Sequence, residues 1–208
     1  EGKASMPDEY AGCAIMARVD AGGDVLYRAT EDSAAGLQTD RAAAEAVNAC
    51  STLDHTAGSF RIPGSFLHYD LTRLSWDSAG ASVTIPVSAN LKQASYLQLD
   101  LAQDSGDARN RQQDQSLTVT VQDAAGRKAS VQVKAGTPAL TWQEGEVETI
   151  PVAGQEDLLQ YSTFTPLGTV RLDPDAFSGV DLEQITQVTL SFDQPSGSIM
   201  LREIQSVQ

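Results

Sequence analysis

The sequence predicts an all-β fold, a jelly-roll β-sandwich with a small N-terminal α/β appendage. Three observations support this. From about residue 60 onward apolar residues recur at every second position, turn residues separate short runs, and about seven or eight such runs follow one another. A chain of 208 residues is long enough for one large all-β domain with a proper core. We therefore expect the sandwich over residues 60–208 and an appendage or linking segment over residues 1–59.

The N-terminal segment is rich in Ala, Gly and Asp and predicts one helix, over about residues 39–50. Thr39 or Asp40 is suited to capping its N-terminus, and the alanines that follow favour helix. A short strand is expected before it, over residues 13–19. The segment has too little apolar content to fold alone, so it should pack against the sandwich or belong to a neighbouring domain.

Two cysteines, Cys13 and Cys50, lie in the first quarter of the chain. In an exported protein this number favours one disulfide between them, and two unpaired buried thiols are the alternative. A zinc site is not expected, because neither cysteine belongs to a CxxC pair and His55 and His68 lack ligand spacing.

Alternation from residue 60 onward predicts which side chains face the core. The expected inward positions are Leu97, Leu99, Leu101, Leu117, Val119, Val121, Val131, Val133, Val188, Leu190 and Phe192. In the run around Leu97 the opposite face carries Tyr96, Gln98 and Asp100. Gly126 in DAAGR should supply a positive φ for a hairpin turn, QPSG should turn the chain into the closing strand, and Trp76 is expected in the core.

The stretch GTVRLDPDAFSGVDLEQITQVTLSFDQPSGSIMLREI resembles the last third of the galactose-binding-like jelly rolls found in carbohydrate-binding modules. It is also similar to the C-terminal β-sandwich of secreted bacterial α/β-hydrolases, including actinobacterial lipase- and esterase-like proteins. In those families an L-x-x-F-x-G-V-D-L-x-x-I loop follows one strand and a PSG hairpin ends the domain. The resemblance covers about residues 60–207, is strongest over 169–204, and implies a secreted accessory or binding domain.

Within that loop the residues have clear physical roles. Phe177 should close one end of the sandwich, and Gly179 should permit the bend. Asp181 should cap a short turn so that Ile185 points inward.

The resemblance departs from the family just before the closing Ile204. Relatives often carry two acidic residues there, whereas this chain has Arg202 and Glu203. The loss of one carboxylate weakens any calcium site carried over from the family.

The calcium candidates that remain are four carboxylates around QDSGDARN. They are Asp100, Asp104, Asp107 and Asp114. Their spacing is not that of an EF-hand, and an acidic loop exposed to solvent is the alternative interpretation. A structural calcium is therefore the one cofactor that the sequence suggests.

Charge and hydropathy exclude several classes of partner. Acidic residues outnumber basic ones 28 to 14, for a net charge of −14, which disfavours nucleic acid and anionic membrane surfaces. No run of about 18 apolar residues is present, so no membrane span is predicted. The chain starts at Glu1 and is poor in lysine, which we interpret as an exported bacterial protein or a cut product of one.

Independent catalysis is not expected. No GxSxG nucleophile motif is present, and neither GSF stretch lies in a strand–elbow–helix context. His68 is expected at a surface or strand edge and His55 in a loop. Acidic residues are so numerous that no glycosidase pair stands out, and Glu144, Glu146 and Glu148 are best interpreted as a solvated face.

Aromatic side chains are the candidate ligand-binding residues, because sugar rings pack their C–H faces on π surfaces. The candidates are Trp142, Tyr161, Tyr96 and Tyr69. For each, ordinary packing is the alternative.

These patterns leave three functions open. The first is a non-catalytic accessory domain of a secreted lipase- or esterase-like hydrolase, which packs on the catalytic part or holds it near substrate. The second is a free-standing carbohydrate-binding module, and the third is a small secreted hydrolase.

Overall fold

The computed structural model describes residues 23–48, 70–104, 107–142 and 167–208, and in these ranges eleven strands form two antiparallel sheets. The predicted all-β sandwich is confirmed. The strands are β1 (Val25–Arg28), β2 (Gln38–Asp40), β3 (Ala42–Asn48), β4 (Asp70–Trp76), β5 (Ser82–Ala89), β6 (Tyr96–Gln103), β7 (Leu117–Asp123), β8 (Lys128–Val133), β9 (Gly168–Leu172), β10 (Ile185–Phe192) and β11 (Gly197–Val207). Sheet 1 has the order β3-β4-β11-β6-β9, with β1 also paired to β11, and sheet 2 has the order β2-β5-β10-β7-β8.

The helix predicted over residues 39–50 is wrong. β2 pairs with β5 in sheet 2, and β3 pairs along its whole length with β4 in sheet 1. Arg41 lies between them with φ 54°, and there the chain passes from one sheet to the other. Helix propensity favours alanine by only about 0.7 kcal/mol per residue, and pairing that packs Ala42 and Ala44 against the core overrides it. The strand expected over 13–19 and both cysteines lie outside the described residues.

The core lies between the two sheets, and the alternation predicted its members correctly. Nine of the eleven expected inward positions are at most 2% exposed, Val133 is 5% exposed, and Val131 packs against the core from its edge. Trp76 of sheet 1 stacks on Phe192 of sheet 2 with ring centroids 3.8 Å apart, and its Nε1 donates to the carbonyl of Gln194 at 2.9 Å. The two sheets are therefore joined by an aromatic stack as well as by aliphatic packing.

The QPSG turn does not make a hairpin. β10 pairs with β5 and β7, whereas β11 pairs with β4, β6 and β1, so the segment between them crosses from sheet 2 to sheet 1. Gly197 begins β11 directly beneath the Trp76 ring, because a Cβ at that position would lie 2.5 Å from Trp76 Cζ2. The DAAGR hairpin, by contrast, is confirmed: β7 pairs with β8, and Gly126 has φ 82°.

The loop before β10 is arranged as the sequence predicted. Phe177 is 1% exposed, and Gly179 has φ 86°. Asp181 Oδ1 accepts a hydrogen bond from the Glu183 backbone N–H at 3.0 Å, and Ile185 is buried. In the described part of the chain, no helix is long and apolar enough to cross a membrane.

Candidate functional site on the outer face of sheet 1

Charged and polar side chains form a row across the outer face of sheet 1. Strand register places Arg28 of β1 opposite Glu203 of β11, Glu203 opposite Asp100 of β6, and Asp100 opposite Thr169 of β9. On each of these strands a neighbouring residue packs in the core (Tyr27, Ile204, Leu99 and Val170), so alternation directs these four side chains away from it. We call them the carboxylate row.

Each carboxylate in the carboxylate row is held by its neighbours. Arg28 Nε donates to Glu203 Oε2 at 2.8 Å, and its terminal nitrogen donates to Oε1 at 3.3 Å. Thr169 Oγ1 donates to Asp100 Oδ1 at 2.9 Å, and Gln98 Nε2 donates to the same oxygen at 3.3 Å. These contacts fix the direction in which the carboxylate oxygens point.

Both acids are buried although they lie on the outer face. Asp100 is 7% exposed and Glu203 is 5% exposed. Burial raises the pKa of Asp100, and the neighbouring Glu203 charge adds to this, whereas the bonds from Thr169 and Gln98 act in the opposite direction. A buried carboxylate with a raised pKa on the outside of a sheet is a feature of functional sites more than of structural surfaces.

An exposed aromatic side chain lies at one end of this region. Tyr96 is 41% exposed, and the Arg171 guanidinium lies over its ring, 5.5 Å from the centroid. Arg171 Nε also donates to Gln98 Oε1 at 3.0 Å. Because Gln98 also contacts Asp100, an unbroken set of contacts runs from the tyrosine to the carboxylate row.

A second polar group lies further along the same face. Arg73 donates to Asp104 at 3.2 Å and to Glu45 at 3.4 Å, and Ser198 Oγ donates to Asp104 at 3.3 Å. Met200, buried at 6% exposure, is the register partner of Arg73 and separates this group from the carboxylate row.

The four calcium candidates are not brought together. Asp104 contacts Arg73, and Asp107 forms hydrogen bonds with Arg109 that hold the pKa of its carboxyl below the usual value. Asp114 accepts from the Trp142 backbone N–H at 2.9 Å. Over the described ranges no three His, Cys, Asp or Glu side chains form a group suited to a metal ion. Calcium binding stays a prediction.

The aromatic candidates are not gathered into one platform either. Trp142 follows the 3₁₀ segment Pro138–Leu140, whose Ala139 packs on Gly168, and Gly168 pairs with Leu101 toward the far end of β6 from Tyr96. Trp142 is half-buried. Tyr161, Tyr69, His55 and His68 lie outside the described residues.

Sequence reasoning found one strand of the site and missed the others. Alternation predicts that Tyr96, Gln98 and Asp100 share the outer face of β6. Glu203 is visible in the sequence only as a departure from a motif. Arg28 carries no signal, because its role depends on a register between strands far apart in the sequence.

No family model and no curated protein matches the sequence. The comparisons with known proteins found similar folds among solved structures. A family 11 carbohydrate-binding module from Clostridium thermocellum, solved in complex with a β-1,3-1,4-mixed-linked tetrasaccharide, is 9% identical with a TM-score of 0.48, over 89% of this chain and 95% of that one. An exo-β-agarase is 13% identical with a TM-score of 0.48, over 89% of this chain and 25% of that one. A structure of carbohydrate-binding modules from the β-sandwich superfamily is 11% identical with a TM-score of 0.43, over 89% of this chain and 63% of that one. This chain thus spans only a quarter of the agarase, and the likenesses identify neither its ligand nor its partner.

Proposed function

We propose that this chain is a non-catalytic carbohydrate-binding domain that holds a neutral glycan on the outer face of sheet 1. The observation that carries this proposal is the carboxylate row, in which two buried acids on the outside of a sheet are fixed by their neighbours. Sugar hydroxyls are recognised by acceptors of fixed direction, and ionised carboxylates accept stronger hydrogen bonds than neutral groups do.

Tyr96 supports the same ligand class. A pyranose ring has hydroxyls around its edge and C–H groups on its faces, so it needs polar acceptors beside an aromatic or apolar surface. The exposed ring of Tyr96 and the acceptors at Gln98 and Asp100 lie along one strand, at every second residue. Positions two residues apart on a strand are roughly 7 Å apart, so a sugar ring packed on Tyr96 lies beside the acceptor at Gln98.

The charge of the protein favours a neutral ligand. A net charge of −14 disfavours an anionic polysaccharide at long range. Arg28 and Arg171 flank the two acids, so the region has little net charge to attract a cationic one.

The arrangement favours binding over hydrolysis. A glycosidase needs one carboxyl group that donates a proton and a second that acts as nucleophile or base. Both oxygens of Glu203 already accept from Arg28, so this carboxylate is held as an ion pair. Among the described residues, the acid beside Asp100 is therefore not poised for proton transfer.

Affinity measurements test the proposal. The protein is titrated by calorimetry with soluble neutral oligosaccharides of glucose, galactose and xylose, the mixed-linked β-glucan tetrasaccharide among them. We expect saturable binding of at least one, weakened in Asp100→Asn and retained in Asp175→Asn, which removes the same charge at an exposed position. Absence of binding across the panel, or equal weakening in both variants, contradicts the proposal.

We further propose that the domain works outside the cell beside the catalytic domain of a hydrolase of the lipase or esterase class. The likeness of residues 169–204 to the tails of such enzymes supports this. The test is the reading frame that encodes the chain, followed by co-purification with the neighbouring domain. A GxSxG domain that binds this chain supports the accessory role, whereas a frame with only an export signal leaves the free-standing module.

A further inference from the structure

The outer face of sheet 2 carries no charge at its centre. Nine of the side chains that the three central strands β5, β10 and β7 direct away from the core make up this centre, and all nine are uncharged. They are Ser82, Thr84, Pro86, Thr118, Thr120, Gln122, Gln187, Thr189 and Ser191. We call this set the hydroxyl face, since six of its members are serine or threonine.

Strand register aligns these side chains in rows. Thr84, Thr189 and Thr120 are successive register partners across β5, β10 and β7, and Ser130 of β8 continues the row. The hydroxyls of Thr84 and Thr189 lie 2.9 Å apart, and those of Thr120 and Ser130 lie 2.8 Å apart. Ser82, Ser191 and Thr118 form a parallel row. The rows are ordered by pairing within the sheet before any ligand is present.

The lack of charge contrasts with the rest of the chain. Charged residues make up 20% of the sequence, with an excess of acids. The charged residues nearest the hydroxyl face lie at its rim: Asp40 on β2, Lys128 on β8 and Asp193 just after β10. Asp193 accepts from Thr118 and Gln132, so it is bound to the end of a row.

This chemistry excludes several occupants. Nucleic acid needs cations and a membrane surface needs apolar or basic side chains, and the centre of the hydroxyl face has neither charges nor large apolar groups. A stable dimer buries about 800 Å² per partner around an apolar centre, which hydroxyl and amide side chains do not supply. A neutral polymer that itself presents regularly spaced hydroxyls meets every requirement, because it offers donors and acceptors without charge.

We propose that the hydroxyl face docks on the surface of an insoluble neutral polysaccharide. Strands lie about 4.8 Å apart and alternate residues about 7 Å apart, so the rows cover roughly 10 by 14 Å over the three central strands. This area is wider than one glycan chain and fits adjacent chains in a solid. Thr189 lies on β10, the middle strand of the sheet, with Thr84 and Thr120 on the strands beside it. The site goes beyond the proposed function, since it lies on the opposite face of the sandwich from the carboxylate row.

Sedimentation binding to microcrystalline cellulose, crystalline chitin and agarose tests the inference. Thr189→Glu places a charge at the centre of the hydroxyl face, and Ser178→Glu places the same charge on an exposed loop. We expect the unmodified protein and Ser178→Glu to bind at least one solid equally, and Thr189→Glu to bind it at least fivefold more weakly. The Thr120→Val and Thr189→Val double variant, whose melting temperature is measured alongside, should also bind more weakly.

The two faces are separated by the choice of ligand. Asp100→Asn should weaken binding of soluble oligosaccharide and leave binding to the solid within twofold. The carboxylate row and the hydroxyl face are therefore tested by different ligands, and either proposal can fail without the other. Binding to none of the three solids overturns the inference. Equal binding by Thr189→Glu and Ser178→Glu overturns it too, as does a concentration-dependent dimer that Thr189→Glu abolishes.

Discussion

Asp100 and Glu203 are register partners on β6 and β11, and both carboxylates are more than nine-tenths buried on the side of sheet 1 that faces away from the core. Two like charges side by side in a desolvated position oppose each other, which is why the pKa of Asp100 is raised by burial and by Glu203. We propose that this pair accepts hydrogen bonds from a ligand.

Replacing Asp100 by asparagine should weaken glycan binding without weakening the fold. A hydrogen bond to a charged acceptor contributes about 1.5–3 kcal/mol, so affinity should fall about 10- to 100-fold. The melting temperature should stay the same or rise, because the substitution removes a charge whose burial is unfavourable. Calorimetric titration and thermal unfolding of the same samples measure both quantities. A lower melting temperature with unchanged affinity would assign Asp100 a structural role instead.

Replacing Tyr96 by alanine should lower affinity about five- to tenfold, the loss expected for one aromatic contact of about 1 kcal/mol. Its ring is 41% exposed, so stability should change by less than about 0.5 kcal/mol. Tyr96→Phe is the matched control, since it keeps the ring and removes only the hydroxyl. Equal loss of affinity in the two variants would show that the hydroxyl, and not the ring face, makes the contact.

The Trp76–Phe192 stack should be the most sensitive point of the core. Trp76→Ala removes a side chain that is 2% exposed, and we expect the free energy of unfolding to fall by about 3–5 kcal/mol. Val25→Ala, at a position that is 40% exposed, should cost less than about 0.5 kcal/mol. Urea unfolding measures both. Similar losses in the free energy of unfolding for the two variants would contradict a core built around the Trp76–Phe192 stack.

Asp123 should make stability depend on pH. Its carboxylate accepts from the backbone of Asp181, Ala125 and Arg127 and from the Arg127 guanidinium, and these bonds, that from Asp181 first, hold its pKa below the usual value. A lowered folded-state pKa gives stability that is present above the unfolded value of about 3.9 and is lost as pH falls through the folded one.

Urea midpoints from about pH 7 down to about pH 3 measure this effect. Asp123→Asn should lower the midpoint at neutral pH and flatten its fall toward acid, because the titrating group is gone. Asp175→Asn, at an exposed carboxylate, should follow the unmodified protein. A curve for Asp123→Asn that runs parallel to the unmodified one would exclude Asp123 as a source of the acid sensitivity.

Arg202 should act as a fixed cation between two strands. Its guanidinium donates to the carbonyl of Ala29 at 3.1 Å and to that of Asp70 at 2.8 Å, so it joins the ends of β1 and β4 beside β11. Arg202→Met should lower the free energy of unfolding by about 2 kcal/mol, and Arg202→Lys should recover part of it.

A chelator should leave the melting temperature of the unmodified protein unchanged. A rise on adding calcium would instead support the calcium prediction.

Sequence patterns predicted the sandwich and most of its core because alternation is a local signal: each apolar residue of β6, β7 and β10 faces inward whatever the strand pairs with. The Thr39–Cys50 helix was wrong because alanine favours helix in isolation, and only the pairing with β4 decides otherwise. The QPSG turn was misassigned for a similar reason, since four residues cannot show that the next strand joins the other sheet. The partners of Asp100 could not be found, because Arg28 and Glu203 reach it through strand order.

Backbone amide NMR during titration with a neutral oligosaccharide that binds tests the central claim most directly. We predict that the shifts and line changes concentrate on Gln98, Asp100, Thr169 and Glu203, with Tyr96 at their edge, and that the Asp100→Asn variant loses them at the same ligand concentration. Shifts confined to sheet 2, or no shifts with any oligosaccharide of the panel, would contradict the assignment of the carboxylate row as the glycan site.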